Sequence, residues 1–356
     1  MNSNKQQYHK LVKAEPSIPI FSRDWWLDAV CGTDNWDVLL LEKGGEIMAS
    51  LPFYRRKRYG LTLISQPLLT QHNGIWIKYP PVQATAKRLS YEKTLMNQMI
   101  DLLADLNIDW FCQNFHYSIT NWLPFYWRGF LQTSRYTYVI PDIDRINLQD
   151  IFSRFSEAKR RNIKRAEQQL QIKTDLNARQ FYAYHQMILA KKGEKIAYPF
   201  DLFGRIFEAA VKRGHGRTFY AADKNEQIHS ALFLIWDENS AYALITAVDP
   251  DHKKSGSLSL VIKEAIRFAA AHTRDFDFEG SMIEMVENSY RQFATVQRPY
   301  FNISFMSRRM RIIHHGRELF RAIAGSPLAV THCRADTSGV SIHGRQVMFD
   351  ADHPRS

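Results

Sequence analysis

VDPDHKKSGSLSLVIKEAIRFA, residues 248–269, changes from the period of a strand to that of a helix across one small, basic turn. The residues before it, SAYALITAV (Ser240 to Val248), are an apolar strand-like run. From Leu258 onward the apolar positions Leu258, Val261, Ile262, Ala265 and Ala269 follow the i, i+3, i+4, i+7, i+11 spacing of a helix lying on a sheet. That spacing predicts a helix start near Ser257. The first backbone N–H groups of such a helix lack an acceptor within it, and its dipole adds positive potential at the same place. Lys253 and Lys254 add charge, Ser255 and Ser257 add hydroxyls, and Gly256 has no side chain to keep an anion from the backbone. The turn therefore reads either as an anion cradle or as a capped helix preceded by a basic loop.

Outward from this turn, the chain repeats itself. RTFYAADKNEQIHSALFLIWDENSAYALITAV (Arg217 to Val248) forms a run of strands joined by polar turns, and after the helix comes the strand DFDFEGS. Earlier, WDVLLLEKGGEIMASLPFYRRKRYG is a hairpin about Gly44-Gly45. The helical repeat YEKTLMNQMIDLLADLN and the strand IDWFCQNF follow it. Overlaying LEKGGEIMASL (from Leu41) on ADKNEQIHSAL (from Ala222) aligns turn with turn, which argues for a duplicated unit. The expected organisation is a flexible tail over 1–16, a first domain over 17–145, a second over 146–321 with the better-formed donor site, and a poorly ordered segment over 322–356. FSRDWWLDAV reads as a short helix capped by Ser22, and LQDIFSRFSEAKRRNIKRAEQQLQIK as helix with one apolar side.

Composition narrows the partners. Among 356 residues, 47 Lys and Arg against 36 Asp and Glu leave a net charge of +11, which suits an acidic partner: a phosphorylated donor, tRNA or an anionic membrane surface. The cysteines Cys31, Cys112 and Cys333 are far apart and have no CxxC companion, so neither a structural zinc site nor a disulfide framework is expected. His314 and His315 are adjacent and diverge on any regular element, a poor metal pair. A polar N-terminus and the lack of a long apolar run lead to the expectation of a cytoplasmic protein without a transmembrane segment. GxGxxG, Walker, HExxH and GxSxG motifs are absent, which argues against nucleotide hydrolases, zinc proteases and serine hydrolases.

The order hairpin, strand, basic-glycine turn, long helix, strand, tyrosine-bearing segment resembles the GNAT acyltransferase superfamily. The turn resembles that family's Gln/Arg-x-x-Gly-x-Gly/Ala motif, with Lys253-Lys254-Ser255-Gly256-Ser257-Leu258 in its place; Lys253 and Leu258 depart from the pattern. Three stretches, FSRDWWLDAVCGTDNWDVLLLEKGG, SEAKRRNIKRAE and FDFEGSMIEMVENSYRQFA, are similar to the Fem-like branch of tandem GNAT proteins. The resemblance implies an α+β fold: two tandem GNAT-like domains, each a mixed, mostly antiparallel sheet flanked by helices. It also implies transfer of an acyl group from a thioester such as acyl-CoA, or from an acyl carrier protein, to an amine or hydroxyl. The Fem-like alternative is aminoacyl transfer from tRNA, and a degenerate basic binding module is the non-catalytic one.

Within the acyltransferase reading, Lys253, Lys254, Ser255, Gly256 and Ser257 would hold donor phosphates, and Tyr290 would act as general acid, as in many GNAT enzymes. Asp275, Asp277 and Glu279 alternate on one strand face with Phe276 and Phe278 on the other. Glu279 is the favoured base and Asp249 the second candidate. Arg160, Arg161, Lys164 and Arg165 form either an acceptor or nucleic-acid surface, or a solvated helix face paired with Glu157 and Glu167.

Overall fold

Among the described residues a sheet of twelve strands runs through both halves of the chain. The computed structural model describes residues 3–81, 84–280 and 282–314. The first half contains α1 (Ser3–Ala14), α2 (Asp24–Cys31), β1 (Trp36–Lys43), β2 (Glu46–Arg58), β3 (Leu61–Ser65) and β4 (Trp76–Ile77). It continues with α3 (Thr85–Asp105), β5 (Trp110–Asn114), α4 (Leu123–Trp127) and β6 (Leu131–Ile140). The second half begins with α5 (Leu148–Ser153), α6 (Glu157–Glu167), β7 (Gln171–Lys173), α7 (Ala178–Lys191) and α8 (Phe200–Lys212). Then come β8 (Gly216–Ala222), β9 (Ile228–Trp236), β10 (Ser240–Val248), α9 (Ser257–Ala269), β11 (Asp275–Asp277), α10 (Glu284–Tyr290) and β12 (Val296–Met306).

The duplication is visible as two matching runs, β1–β2–β3–α3–β5–β6 and β8–β9–β10–α9–β11–β12. In each run the third strand pairs in parallel with the strand after the helix: Leu63 with Trp110, and Ser240 with Asp275. The last strands are exchanged. β12 lies against β5 of the first half, Asn302 opposite Asn114, while β6 lies against β11 of the second, Val139 opposite Asp277. β6 and β12 pair with each other along their length, from Val296–Val139 to Ser304–Leu131. The main strand order is therefore β1-β2-β3-β5-β12-β6-β11-β10-β9-β8-β7, with β4 added beside β2.

Helices cover both faces. α9 buries Leu260, Val261, Ile262, Ala265, Ile266 and Ala269 against Phe276, Phe278 and β9 residues, each large side chain contributing about 1.5–3 kcal/mol. The other face of the second half packs α7 and α8 together with Phe21 and Trp26, which come from the first half. α3 and α4 cover the first half's sheet through Met96, Met99, Leu103 and Phe125.

Three local expectations need correction. The tail expected over 1–16 is helical from Ser3 to Ala14, and Tyr8 is fully buried, donating from its hydroxyl to the Ser22 carbonyl at 2.6 Å. The cap of α2 is Arg23, not Ser22, because Ile20–Ser22 already forms a short 3-10 turn. The long helical stretch from Leu148 breaks into α5, α6 and β7. Ser156 interrupts it by accepting the Lys159 amide on its hydroxyl, an N-cap that starts α6. Residues 322–356, His315 and Cys333 lie outside the described residues.

Candidate active site

β10 and β11 are joined only where Ser240–Tyr242 meet Asp275–Asp277. Beyond that contact β10 continues to Val248, while β11 stops. The β10–β9 register shifts between Tyr242 and Ile245, a bulge that bends β10 just where it leaves its neighbour. Strands that part in the middle of a sheet leave main-chain groups facing a gap, and the candidate catalytic side chains gather around this gap.

β11 ends because the backbone turns over. Glu279 has φ 61° and Gly280 φ 56°, and a Cβ on Gly280 would lie 2.1 Å from the Tyr136 carbonyl oxygen of β6. Only glycine fits at 280. A left-handed Glu279 is strained by about 1–2 kcal/mol, a cost that strained positions at functional sites commonly carry. The simple alternation expected through Glu279 therefore holds only to Phe278.

The carboxyls of this segment are buried rather than solvated. Asp277 accepts the Thr137 hydroxyl and, at 2.7 Å, the Glu279 amide on Oδ1, with the Gln71 side-chain amide at 3.5 Å. Its Oδ2 and both carboxyl oxygens of Glu279 are buried without a hydrogen-bond partner. Burial pushes Asp277 up to about 7, against the opposing pull of its hydrogen bonds to Thr137, Glu279 and Gln71. Burial and the neighbouring Asp277 raise Glu279 well above the carboxylate range. Burial thus favours the protonated form of Glu279, while Asp277 is poised to exchange a proton near neutral pH.

Facing these carboxyls is a loop that the sequence left unassigned. Gln71 Oε1, His72 Nε2 and both side-chain amide atoms of Asn73 are buried and unpartnered. The loop is clamped to the end of β5: Asn114 donates its side-chain amide to the Gln71 carbonyl at 2.8 Å, and the Asn73 and Gly74 amides both donate to the Asn114 carbonyl at 3.1 Å. His72 stacks edge-on against His116 at 4.5 Å, and burial lowers both, His116 to about 3, so both rings are neutral at physiological pH. Native proteins leave few buried polar atoms unpaired, so this concentration marks a place built for polar atoms the protein does not itself supply.

Tyr290 comes to the same gap from the other side of the sheet. Its ring packs on Phe278 at 5.0 Å and on Tyr138 at 6.4 Å, beneath α9. Burial pushes its phenol up to about 12, partly offset by a hydrogen bond with the Thr246 side chain, on the stretch of β10 that has parted from β11. Lys159 belongs to the same basic stretch as the other α6 cations but stands apart from them. It is buried, donates to the Ser289 hydroxyl at 2.9 Å and lies 4.2 Å from the Phe293 ring centre, and burial pushes it down to about 8. It ties α6 to the helix that carries Tyr290.

The basic turn is where the spacing placed it. α9 begins at Ser257 with Gly256 as N-cap at φ 81°, preceded by a 3-10 turn over Pro250–Ser255. Lys253 and Lys254 are exposed, and the Ser257 amide donates to Ser255 Oγ at 3.2 Å. Gly256 has a second reason to be glycine: a Cβ there would sit 2.4 Å from the Asn162 carbonyl oxygen of α6. Asp249, at the start of the turn, accepts both contacts of Lys191 at 2.8 Å and the Asp251 amide at 3.0 Å. Burial opposes its ionisation, but Lys191 and the amide bring its pKa below the usual value. Its carboxylate is engaged in anchoring the turn.

The α6 cations divide. Arg160 donates to the Ser153 and Phe155 carbonyls, closing the end of α5; Arg161 pairs with Glu157 at 2.8 Å, and Arg165 donates to Asn162 at 2.9 Å. Lys164 is exposed, and Glu167 pairs with Lys263 of α9.

Residues 153–283 match the family model of the acetyltransferase (GNAT) domain. Those residues form a GNAT-type domain, and the chain as a whole shares the fold of FemX. The GNAT match spans the α6 cations, the basic turn, Asp277 and Glu279, and stops short of Tyr290. The crystal structure of FemX is similar over 85% of this chain and 96% of its own, with a TM-score of 0.64 and 13% identity. A conserved protein of unknown function from Bacteroides thetaiotaomicron matches over 86% and 97% of the two chains, with a TM-score of 0.55 and 9% identity. The C-terminal domain of an Agrobacterium fabrum protein assigned as a lysylphosphatidylglycerol synthetase matches over 90% and 97%, with a TM-score of 0.52 and 8% identity. No curated protein matches the chain in sequence. Among the described residues, no helix is long and apolar enough to cross a membrane.

Proposed function

We propose that this GNAT-type protein is an N-acyltransferase that moves an acyl group from a thioester donor, acyl-CoA or an acyl carrier protein, to a primary amine. Its two units span residues 17–145 and 146–321, and the reaction takes place in the second. The observation that carries the reading is the gap where β10 leaves β11, with Tyr290 packed on Phe278 on one side and the unpartnered oxygens of Asp277 and Glu279 on the other.

The donor supplies the activated carbonyl. Lys253, Lys254, Ser255, Gly256 and Ser257 hold its phosphates, because the turn offers charge, hydroxyls and a helix N-terminus together. The unpaired atoms of the opposite face include the acceptors Asp277 Oδ2, Gln71 Oε1 and Asn73 Oδ1. A primary amine, with two or three N–H groups, satisfies such a set better than a hydroxyl with one. Asp277 takes a proton from the amine nitrogen as that nitrogen bonds to the carbonyl carbon, and Tyr290 gives its hydroxyl proton to the sulfur that leaves. Asp249 positions the turn. A phenol pushed up to about 12 keeps its proton at neutral pH, as an acid must.

The test is thermal unfolding with a panel of acyl-CoAs and charged tRNA, followed by turnover with simple amines. An acyl-CoA present at about 100 times its Kd stabilises the protein by about 2.7 kcal/mol. Tyr290→Phe is expected to lower turnover while leaving that donor-induced shift in place; equal turnover in the variant removes Tyr290 from the mechanism. A response to charged tRNA alone replaces the thioester donor with an aminoacyl ester, and no response to either donor leaves a non-catalytic basic module.

A further inference from the structure

At the end of the β2–β3 hairpin the chain turns through Tyr59-Gly60, with φ 50° and 70°. Two left-handed residues make the tight hairpin turn that Asn-Gly or Gly-Gly adopts with least strain. This chain puts tyrosine at the first position and leaves its ring 78% exposed, with the Arg58 guanidinium 5.2 Å from the ring centre. Residues 308–314 are helical and fold against this tip. Arg309 donates to the Gly60 carbonyl at 3.4 Å, and the Ser307 amide donates to the Asp109 carbonyl at 2.9 Å.

A cationic run, Arg55-Arg56-Lys57 of β2, leads into this tip, and Arg308, Arg309 and Arg311 stand on the helix folded against it. Their hydrogen bonds go to neutral groups, Arg56 to Ser65 Oγ at 3.3 Å and Arg311 to the Met306 carbonyl at 3.1 Å. Among the described residues none of these six forms an ion pair with a carboxylate, whereas Arg161, Lys173, Lys263 and Arg274 elsewhere all do. Ile312, 73% exposed, and Ile313 sit among the charges.

We propose that this face docks on the surface of an anionic lipid bilayer. The negative potential of such a surface draws in clustered Lys and Arg, and an exposed tyrosine and two isoleucines gain by entering the boundary between headgroups and acyl chains. A nucleic-acid surface uses cations and rings to follow phosphates and stack bases, but it has no use for exposed aliphatic side chains. The inference goes beyond acyl transfer: it concerns where the protein sits and is independent of which donor it uses.

Co-sedimentation of the full chain with vesicles of equimolar phosphatidylcholine and phosphatidylglycerol, with vesicles of phosphatidylcholine alone, and retention on total tRNA test it. The expected result is binding to the mixed vesicles and not to the neutral ones. Arg56→Glu, Lys57→Glu and Arg308→Glu are each expected to lower the partition constant at least about fivefold. The double variant Tyr59→Ser, Ile312→Ser keeps every charge and is expected to weaken vesicle binding about tenfold with tRNA retention unchanged. Absence of vesicle binding, equal binding to neutral vesicles, tRNA binding without vesicle binding, or wild-type vesicle binding by the serine double variant each overturns the proposal. Circular dichroism confirms that the surface variants remain folded.

Discussion

Asp277 and Tyr290 are complementary in their protons. The carboxyl, pushed up to about 7, is half-loaded at neutral pH, whereas the phenol, pushed up to about 12, remains fully protonated. If Asp277 is the base, kcat/KM rises about tenfold per pH unit up to about 7 and then levels, because only the ionised form accepts the amine proton. Asp277→Asn is expected to lower turnover about 10²- to 10⁴-fold and to abolish this limb, both read from a pH–rate profile. Stability moves the other way. The folded pKa lies above the unfolded one, so between roughly pH 4 and 7 the folded state holds a proton that the unfolded chain has released, and stability falls as pH rises through that window. Urea midpoints across this range are expected to show the slope in the natural protein and its loss in Asp277→Asn. The sequence placed Asp277 and Glu279 on one strand and preferred Glu279, since it lies nearer the carboxyl end. It did not reveal that the chain turns left-handed at 279, or that Gln71 reaches Asp277 from a loop about two hundred residues away. No local period marks such a contact.

Among the elements, α9 and its turn were the most legible, because an i, i+3, i+4 pattern after a small-residue turn fixes both the start and the buried side of a helix. The actual buried face centres on Leu260, Val261, Ala265 and Ile266, with Leu258 only half-buried at the entrance. What the pattern could not show is the partner of Gly256. α6 lies so close that its Asn162 carbonyl occupies the space a side chain would need. Gly256→Ala is therefore expected to cost about 1–3 kcal/mol through both the left-handed backbone and this contact, measured by chemical denaturation. If the donor phosphates rest on the same turn, its Kd for acyl-CoA weakens as well. The α6 cations were seen as a block, but helical geometry sorts them: Arg160 reaches back to the Ser153 and Phe155 carbonyls, Lys159 is buried against Ser289, and Lys164 reaches solvent.

For the molecule as a whole, the repeat of hairpin, helix and strand was readable, since polar turns punctuate both halves at matching places. The exchange of β6 and β12 was not, because strand partners far apart in sequence leave no trace in the order of elements. The exchange makes each half's sheet depend on a strand from the other, and Phe21 and Trp26 extend the dependence to the helical layer. Fragments 1–145 and 146–356 produced separately are expected to be unstable or aggregated, and co-production is expected to recover a soluble complex that co-purifies. A first fragment that unfolds cooperatively by itself counts against this coupling.

The order in which the chain leaves the ribosome gives the exchange a further meaning. β5 emerges early, but its neighbour in the finished sheet, β12, is among the last described segments to be made. Until Met306 has appeared, the edge of β5 is bare, an open template of the kind that recruits other chains. Synthesis paused anywhere in the second half leaves a nascent polypeptide in need of a chaperone, and β12 acts as the latch that ends that need.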